Sequence, residues 1–243
     1  MNYKILNLVL LFFATISLIS CVNSNTNSTS SKANEKFTSL ESIDKQNQDK
    51  DVKTEKKEKF LFELQPNNEL PKDLPFDGKL FDYKVWKDQN GFNYAVLSLT
   101  EIVENDNGEF SNTIYGYHFI KNADETYTIK RKIQDFFKCQ FEEIKHGLSI
   151  IKESFTITDL DENNYGEISF IYWFYCSMDL SWADAKLMLL ENGNKYPIRG
   201  TTYVPDYGDT QGNGVKIFGV EYDLANKEFK EYASTLWDKF CIH

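Results

Sequence analysis

Eight consecutive residues, Ile168-Ser-Phe-Ile-Tyr-Trp-Phe-Tyr175, carry large apolar side chains at both parities of an extended chain. Successive side chains of a β-strand point to opposite faces of its sheet, so such a run is stable only where both faces are covered. The strand is therefore expected to be central, with the core thickest around it. From Phe60 onward the chain alternates aromatic and polar residues between Asn-Gly and Asp-x-x-Gly turns, the pattern of antiparallel strands. Residues 80–86 and 92–99 flank Asn90-Gly91 and form one hairpin. Residues 113–120 and 126–132 flank Asn122-Ala-Asp124 and form a second. Residues 150–158 pair with the apolar run, and residues 185–190 pair with 195–202 across Asn192-Gly193. The fold class that follows is mainly β (α+β): an antiparallel meander of hairpins forming a sheet or sandwich, with one C-terminal amphipathic helix. Residues 60–243 read as a single β-rich domain, and a hydrophobic content of 41% with 15% aromatic residues is enough to fill its core.

The segment leading into the apolar run is Asp159-Leu-Asp161-Glu-Asn163-Asn164-Tyr165-Gly166-Glu167. It puts oxygen-bearing side chains at loop positions one, three and five, a backbone carbonyl at seven and a carboxylate at nine. A short loop wraps a hard cation such as calcium in this way. The ligand set is then Asp159, Asp161, Asn163, the Tyr165 carbonyl and Glu167, with Ca2+ as a structural ion. Position six turns sharply and usually carries Gly; Asn164 stands there, and after Gly it is the residue that best tolerates the left-handed conformation. An EF-hand would need Glu at position twelve, where this chain has Phe170. The nine-residue form between two strands resembles the calcium loops in blades of integrin-type propeller repeats. The alternative is a polar hairpin turn whose Asp and Asn side chains only cap backbone N–H groups.

The N-terminal part concerns location. Residues 1–20 read as a secretory signal peptide, with Asn2, Tyr3 and Lys4 as n-region and an apolar stretch of about fifteen residues, too short to span a bilayer comfortably. It ends in Leu18-Ile19-Ser20-Cys21, which resembles a bacterial lipobox, so Cys21 is the expected lipidation site; an ordinary signal peptide with a chance cysteine is the alternative. Val22 follows the cysteine, and no run of acids comes after it. Outer membrane, periplasmic face, is the default location, with the cell surface as the alternative. Residues 21–59 are low-complexity and polar, cannot repay their ordering entropy by burial, and read as a disordered tether reaching on the order of 35 Å.

Toward the C-terminus, residues 205–214 are rich in Asp and Gly but lack the one-three-five pattern, which favours a plain loop. Residues 215–222 read as a short strand. In the final helix Phe229, Tyr232, Ala233, Leu236, Trp237 and Phe240 share one face, and Asn226 stands at the N-cap position. With Cys21 set aside, Cys139, Cys176 and Cys241 are an odd number in an oxidising compartment, so one stays free. Cys176 closes the central strand and Cys139 opens the segment leading back to it, which favours a Cys139–Cys176 disulfide; three buried thiols is the alternative.

The run 159–175, then Cys176, Lys186-Leu-Met-Leu-Leu-Glu191, Lys195-Tyr-Pro-Ile-Arg-Gly200, the Trp-containing final helix and Trp86-Lys-Asp-Gln-Asn-Gly-Phe-Asn-Tyr94 together resemble a family of bacterial lipoproteins described as surface polysaccharide biosynthesis proteins. The resemblance covers most of residues 80–240. It departs from the family at Met178-Asp-Leu-Ser-Trp182, where an acidic-Val-Ser-Pro turn is expected. The resemblance implies a non-catalytic accessory role in surface polysaccharide or cell-envelope assembly.

A formal charge of −10 and a pI near 4.9 exclude a nucleic-acid partner on electrostatic grounds. The histidines, His118 in a strand, His146 in a turn and His243 at the terminus, have no metal-ligand spacing, and no nucleophile elbow or phosphate-cradling loop is present in the sequence. The chain therefore does not read as an enzyme. Its partners are a membrane, through the lipid, and a glycan or an envelope protein. The alternative function is a glycan- or protein-binding module with a structural calcium site, motivated by 14 Tyr and 4 Trp.

Overall fold

The computed structural model describes residues 61–140, 147–176 and 181–242. The chain divides into two units, Met1–Thr54 and Glu55–His243, and all described residues belong to the second. The signal peptide, Cys21, the tether, His146, His243 and the segment 177–180 lie outside the described residues.

Among the described residues, eleven strands form two antiparallel sheets. The first contains β1 (Glu63–Leu64), β2 (Lys79–Asp88), β3 (Gly91–Leu99), β4 (Val103–Glu104), β5 (Phe110–Lys121) and β6 (Tyr127–Cys139), in the order β1-β2-β3-β5, with β4 and β6 both on β5. The second is a plain meander, β11-β10-β9-β8-β7, built from β7 (Leu148–Thr158), β8 (Glu167–Phe174), β9 (Asp184–Glu191), β10 (Asn194–Thr201) and β11 (Lys216–Phe218). All four expected hairpins are present. Their turns use the conformations that their residues favour: Gly91 has φ 90, and Asn192-Gly193 has φ 43 and 88.

The two sheets pack face to face. Trp86, Leu97, Ile114 and Phe137 of the first meet Phe155, Ile168, Phe170 and Tyr172 of the second. Gly116 lies under the Phe170 ring; a Cβ there would stand 2.8 Å from the ring's Cζ, so only glycine lets the sheets approach this closely. The outer face of the second sheet is covered by α1 (Lys227–Phe240), whose Phe229, Ala233, Leu236 and Trp237 pack on Ile171, Leu187, Leu189 and Ile198. This is why β8 is apolar at both parities: Phe170 and Tyr172 face the first sheet while Ile171 faces the helix. β8 is interior, between β7 and β9, and β9 takes the middle of the sheet.

A disulfide joins Cys139, the last residue of β6, to Cys176, just beyond β8, and so ties one sheet to the other. Cys241 is free and buried, and burial pushes its thiol up to about 12.

Three local expectations are corrected. The strand of residues 215–222 is only Lys216–Phe218, followed by a short 3-10 helix at Val220–Asp223. Pro197 of β10 has no N–H to continue the ladder, and Gly219 donates to the Pro197 carbonyl at 2.8 Å as the chain turns away. The strand starting near Thr126 runs on to Cys139 because β5 starts at Phe110 and pairs with it there, and a register shift between His118 and Phe119 takes up one extra residue of β6. Asn226 does occupy the N-cap position, but its side chain makes no capping bond and is used elsewhere.

Candidate metal centre

The loop from Asp159 to Glu167 joins β7 to β8, and its fold is written in its Asp and Asn residues. Asp159 Oδ1 accepts the Asn164 N–H at 3.2 Å, Asp161 Oδ1 accepts the Asn163 N–H at 3.3 Å, and Asn163 Oδ1 accepts the Tyr165 N–H at 2.7 Å. Short side chains folded onto backbone donors a few residues ahead wind the chain into successive turns. Asn164 takes φ 63, the left-handed conformation expected of position six, and Glu162 takes φ 56.

This winding brings ligand oxygens of Asp159, Asp161 and Glu167 within 4.8 Å of one another. Among the described residues it is the group of His, Cys, Asp and Glu side chains with the spacing to hold a metal ion. Glu167 is fully buried at the first position of β8. Its Oε2 accepts the Thr158 hydroxyl and the Leu160 N–H, each at 2.9 Å, while Oε1 has no partner. Asn163 and Tyr165, the other two expected ligands, lie in the same loop and are bonded to each other through the Tyr165 N–H. An amide oxygen has two lone pairs, so Asn163 Oδ1 keeps one after accepting that bond.

A fourth carboxylate was not anticipated. Glu191 ends β9 directly opposite Glu167, and Asn163 Nδ2 donates both to Glu191 Oε1 and, at 3.0 Å, to Asp161 Oδ2. The sequence signal was the last residue of the run Ala185-Lys-Leu-Met-Leu-Leu-Glu191: pairing β8 to β9 in register sets the two glutamates side by side. Asn226, at the start of α1, donates to Asp161 Oδ2, so the helix also leans on the loop. Burial raises the Asp159 and Glu191 carboxyls above their ordinary values, and neighbouring acids add to this. Glu167 is raised to about 8, first by burial and then by Asp161 and Glu191, against the opposing bonds from Leu160 and Thr158.

The other side of the loop is latched to the β2–β3 turn of the facing sheet. Gln89 N–H donates to the Asn164 carbonyl at 3.1 Å, and Gln89 Nε2 donates to the Asn163 carbonyl at 2.9 Å. Gly166 N–H donates to buried Asp88 Oδ2 at 3.0 Å, which also accepts Trp86 Nε1 at 2.8 Å. Gly166 lies flat on the Trp86 indole, and a Cβ there would stand 2.8 Å from Cδ1. Asp88 Oδ1 takes the Asn90 N–H and Asn93 Nδ2, and Asn93 Oδ1 meets His118 Nε2 at 2.9 Å. Burial lowers His118 to about 3, so the ring is a neutral core residue rather than an acid or base open to substrate.

Chemically, the arrangement concentrates carboxylate oxygens in a loop that joins two sheets and one helix. Such a donor set suits a hard, oxygen-seeking cation. No protein-family model, curated protein or solved structure matches this chain.

Proposed function

We propose that this protein is a membrane-tethered, non-catalytic accessory component of the cell envelope, whose sandwich is locked by one calcium ion held by Asp159, Asp161, Asn163, the Tyr165 carbonyl and Glu167. The observation that carries the metal reading is Glu167 Oε1: a carboxylate oxygen, fully buried, without a hydrogen-bond partner, beside two other carboxylates. A buried polar atom left unpaired costs about 1–3 kcal/mol, and burial beside other acids holds this carboxyl in its neutral form at a further cost when no cation is bound. A polar turn alone gives no reason to accept that cost; a cation removes it. Calcium is favoured over magnesium because the loop offers irregularly placed oxygens from a wound backbone, and calcium accepts flexible geometry where magnesium demands a near-ideal octahedron.

The ion's role is mechanical. The bonds from Asp88, Gln89 and Asn226 to the loop mean that ordering it fixes the register of the β7–β8 hairpin against the facing sheet and the helix. The envelope location is supported by Leu18 to Cys21 and the polar run that follows. The accessory role rests on the family resemblance carried by residues 80–240, to which the comparisons with known proteins add nothing.

Native mass spectrometry of the full-length chain tests the metal reading: one calcium per chain, removed by chelator and absent from an Asp159→Ala, Asp161→Ala variant. A chain that carries no calcium at millimolar concentration overturns it. For the anchor, a palmitate analogue should label the wild type and not Cys21→Ser; equal labelling of both contradicts lipidation.

A further inference from the structure

The sandwich opens at the end of β8 remote from the metal loop. Along the inner face of the second sheet, three rows of directly paired residues run from β8 through β9 to β10: Phe170, Met188 and Pro197; then Tyr172, Lys186 and Arg199; then Phe174, Asp184 and Thr201. The first row is buried, and so is Tyr172; beyond it Lys186, Arg199, Asp184 and Thr201 are polar and partly or fully exposed, and Phe174 is half-buried. The core does not continue to this edge. In its place is a cleft of about 810 Å³, lined by Phe136, Lys138, Phe174, Trp182, Lys186 and Arg199 among others. Cys176 is part of its wall, so the disulfide to Cys139 fixes the two sides relative to each other.

Two features of this cleft suit a ligand. Phe136 is 51% exposed on the edge strand β6, and the half-buried Trp182 meets Tyr207 edge-on at 5.7 Å with Gly212 packed against its ring. The cations are also unequally used. Lys186 is paired with Asp135, and Lys138 lies 3.5 Å from Glu109, but Arg199 makes no ion pair or hydrogen bond with the described residues. In a chain of net charge −10, an exposed guanidinium that no described residue holds in an ion pair or hydrogen bond, near the Tyr172 hydroxyl in an aromatic-lined cleft, suits an anion.

We propose that this cleft binds an acidic saccharide, with Arg199 gripping a uronic-acid carboxylate and the Phe136 and Trp182 rings taking the apolar face of the sugar. The ligand class follows from the combination. A guanidinium fork matches a carboxylate bidentately, aromatic planes match the C–H face of a pyranose, and the volume falls in the ordinary range of ligand clefts. A simple anion uses the guanidinium and leaves the rings idle. The proposal gives a ligand class to the glycan-binding alternative and is independent of the metal loop at the other end of β8, so either can fail alone.

The test is calorimetric titration of the full-length chain, at fixed calcium, with three probes. These are a tetrasaccharide alternating glucuronate with N-acetylglucosamine, its carboxyl-reduced neutral counterpart, and tetraglutamate. The acidic tetrasaccharide is expected to bind, the reduced form to bind about tenfold more weakly or not at all, and tetraglutamate not to bind. Arg199→Gln and Phe136→Ala each lower affinity for the acidic tetrasaccharide about tenfold. Both sites are exposed, so the melting temperature of each variant should match the wild type. Absence of binding to the acidic tetrasaccharide, equal binding by Arg199→Gln, or equally tight binding of tetraglutamate overturns the proposal.

Discussion

Replacing Glu167 by Gln separates a metal loop from a polar turn by the sign of two effects. Burial holds the Glu167 carboxyl at about 8 in the folded, metal-free chain against an ordinary 4.5. The unfolded chain therefore gives up this proton first, and folding stability is lost as pH rises from about 4.5 through 8. At pH 7 the gap of 2.5 units, at about 1.4 kcal/mol per unit, sets an upper bound of about 3 kcal/mol on the loss. Glutamine keeps the shape, does not titrate, and brings an amide N–H2 that Asp159 or Asp161 can accept. Glu167→Gln should therefore stabilise the calcium-free protein by up to about 3 kcal/mol, or roughly 6 to 12 °C in a domain of this size. With a ligand carboxylate gone, the same variant should lose most of the stabilisation that calcium gives the wild type. Denaturant unfolding at pH 7, with chelator and with millimolar calcium, reads both. A variant that is less stable than wild type in chelator, or one that responds to calcium as wild type does, would mean that Glu167 is neither a strained acid nor a calcium ligand.

Other consequences follow from neighbouring elements. The Cys139→Ser, Cys176→Ser double variant should lose about 3–4 kcal/mol, the chain-entropy value for a separation of 37 residues, measured by denaturant midpoint; no loss would mean the sheets are held without it. Gly166→Ala should cost about 1–3 kcal/mol, because its methyl group collides with the Trp86 indole and pushes the loop off the facing sheet, and the matching readout is a weaker calcium response. His118, lowered to about 3 by burial, binds a proton more readily in the unfolded chain. Stability from this residue is therefore full above about 6.5 and falls with acid toward 3; at pH 5 the loss is about 2 kcal/mol, and His118→Gln should flatten that part of the stability profile.

The sequence made the strands of the second sheet legible because each hairpin carries its own local signal. Asn192-Gly193 fixes one turn, and the two-parity run at Ile168 requires cover on both sides, which the first sheet and α1 supply. Turn winding around Asp159, Asp161 and Asn163 was equally local, since each side chain accepts a backbone N–H within a few residues. What escaped depends on partners far away in the chain. Glu191 looks like the polar end of a strand until the register sets it against Glu167. Asn226 satisfies the N-cap pattern, yet its amide is drawn to Asp161, 65 residues earlier in the chain. The short strands β1 and β4 have no periodicity of their own; they exist because β2 and β5 present open edges. The same applies to Arg199, which alternation puts on an inner face and only the parting of the sheets exposes.

The proposed calcium ion in the Asp159 to Glu167 loop would join the sheets and the helix into one stable unit. The most direct test is the thermal unfolding of wild type and of the Asp159→Ala, Asp161→Ala variant, each with calcium and with chelator. At free calcium about a hundredfold above the dissociation constant the ion contributes about 2.7 kcal/mol, so wild type should melt roughly 5 to 11 °C lower in chelator while the variant should not move. A wild-type melting temperature unchanged by chelator, or a variant that still responds to calcium, would contradict the claim.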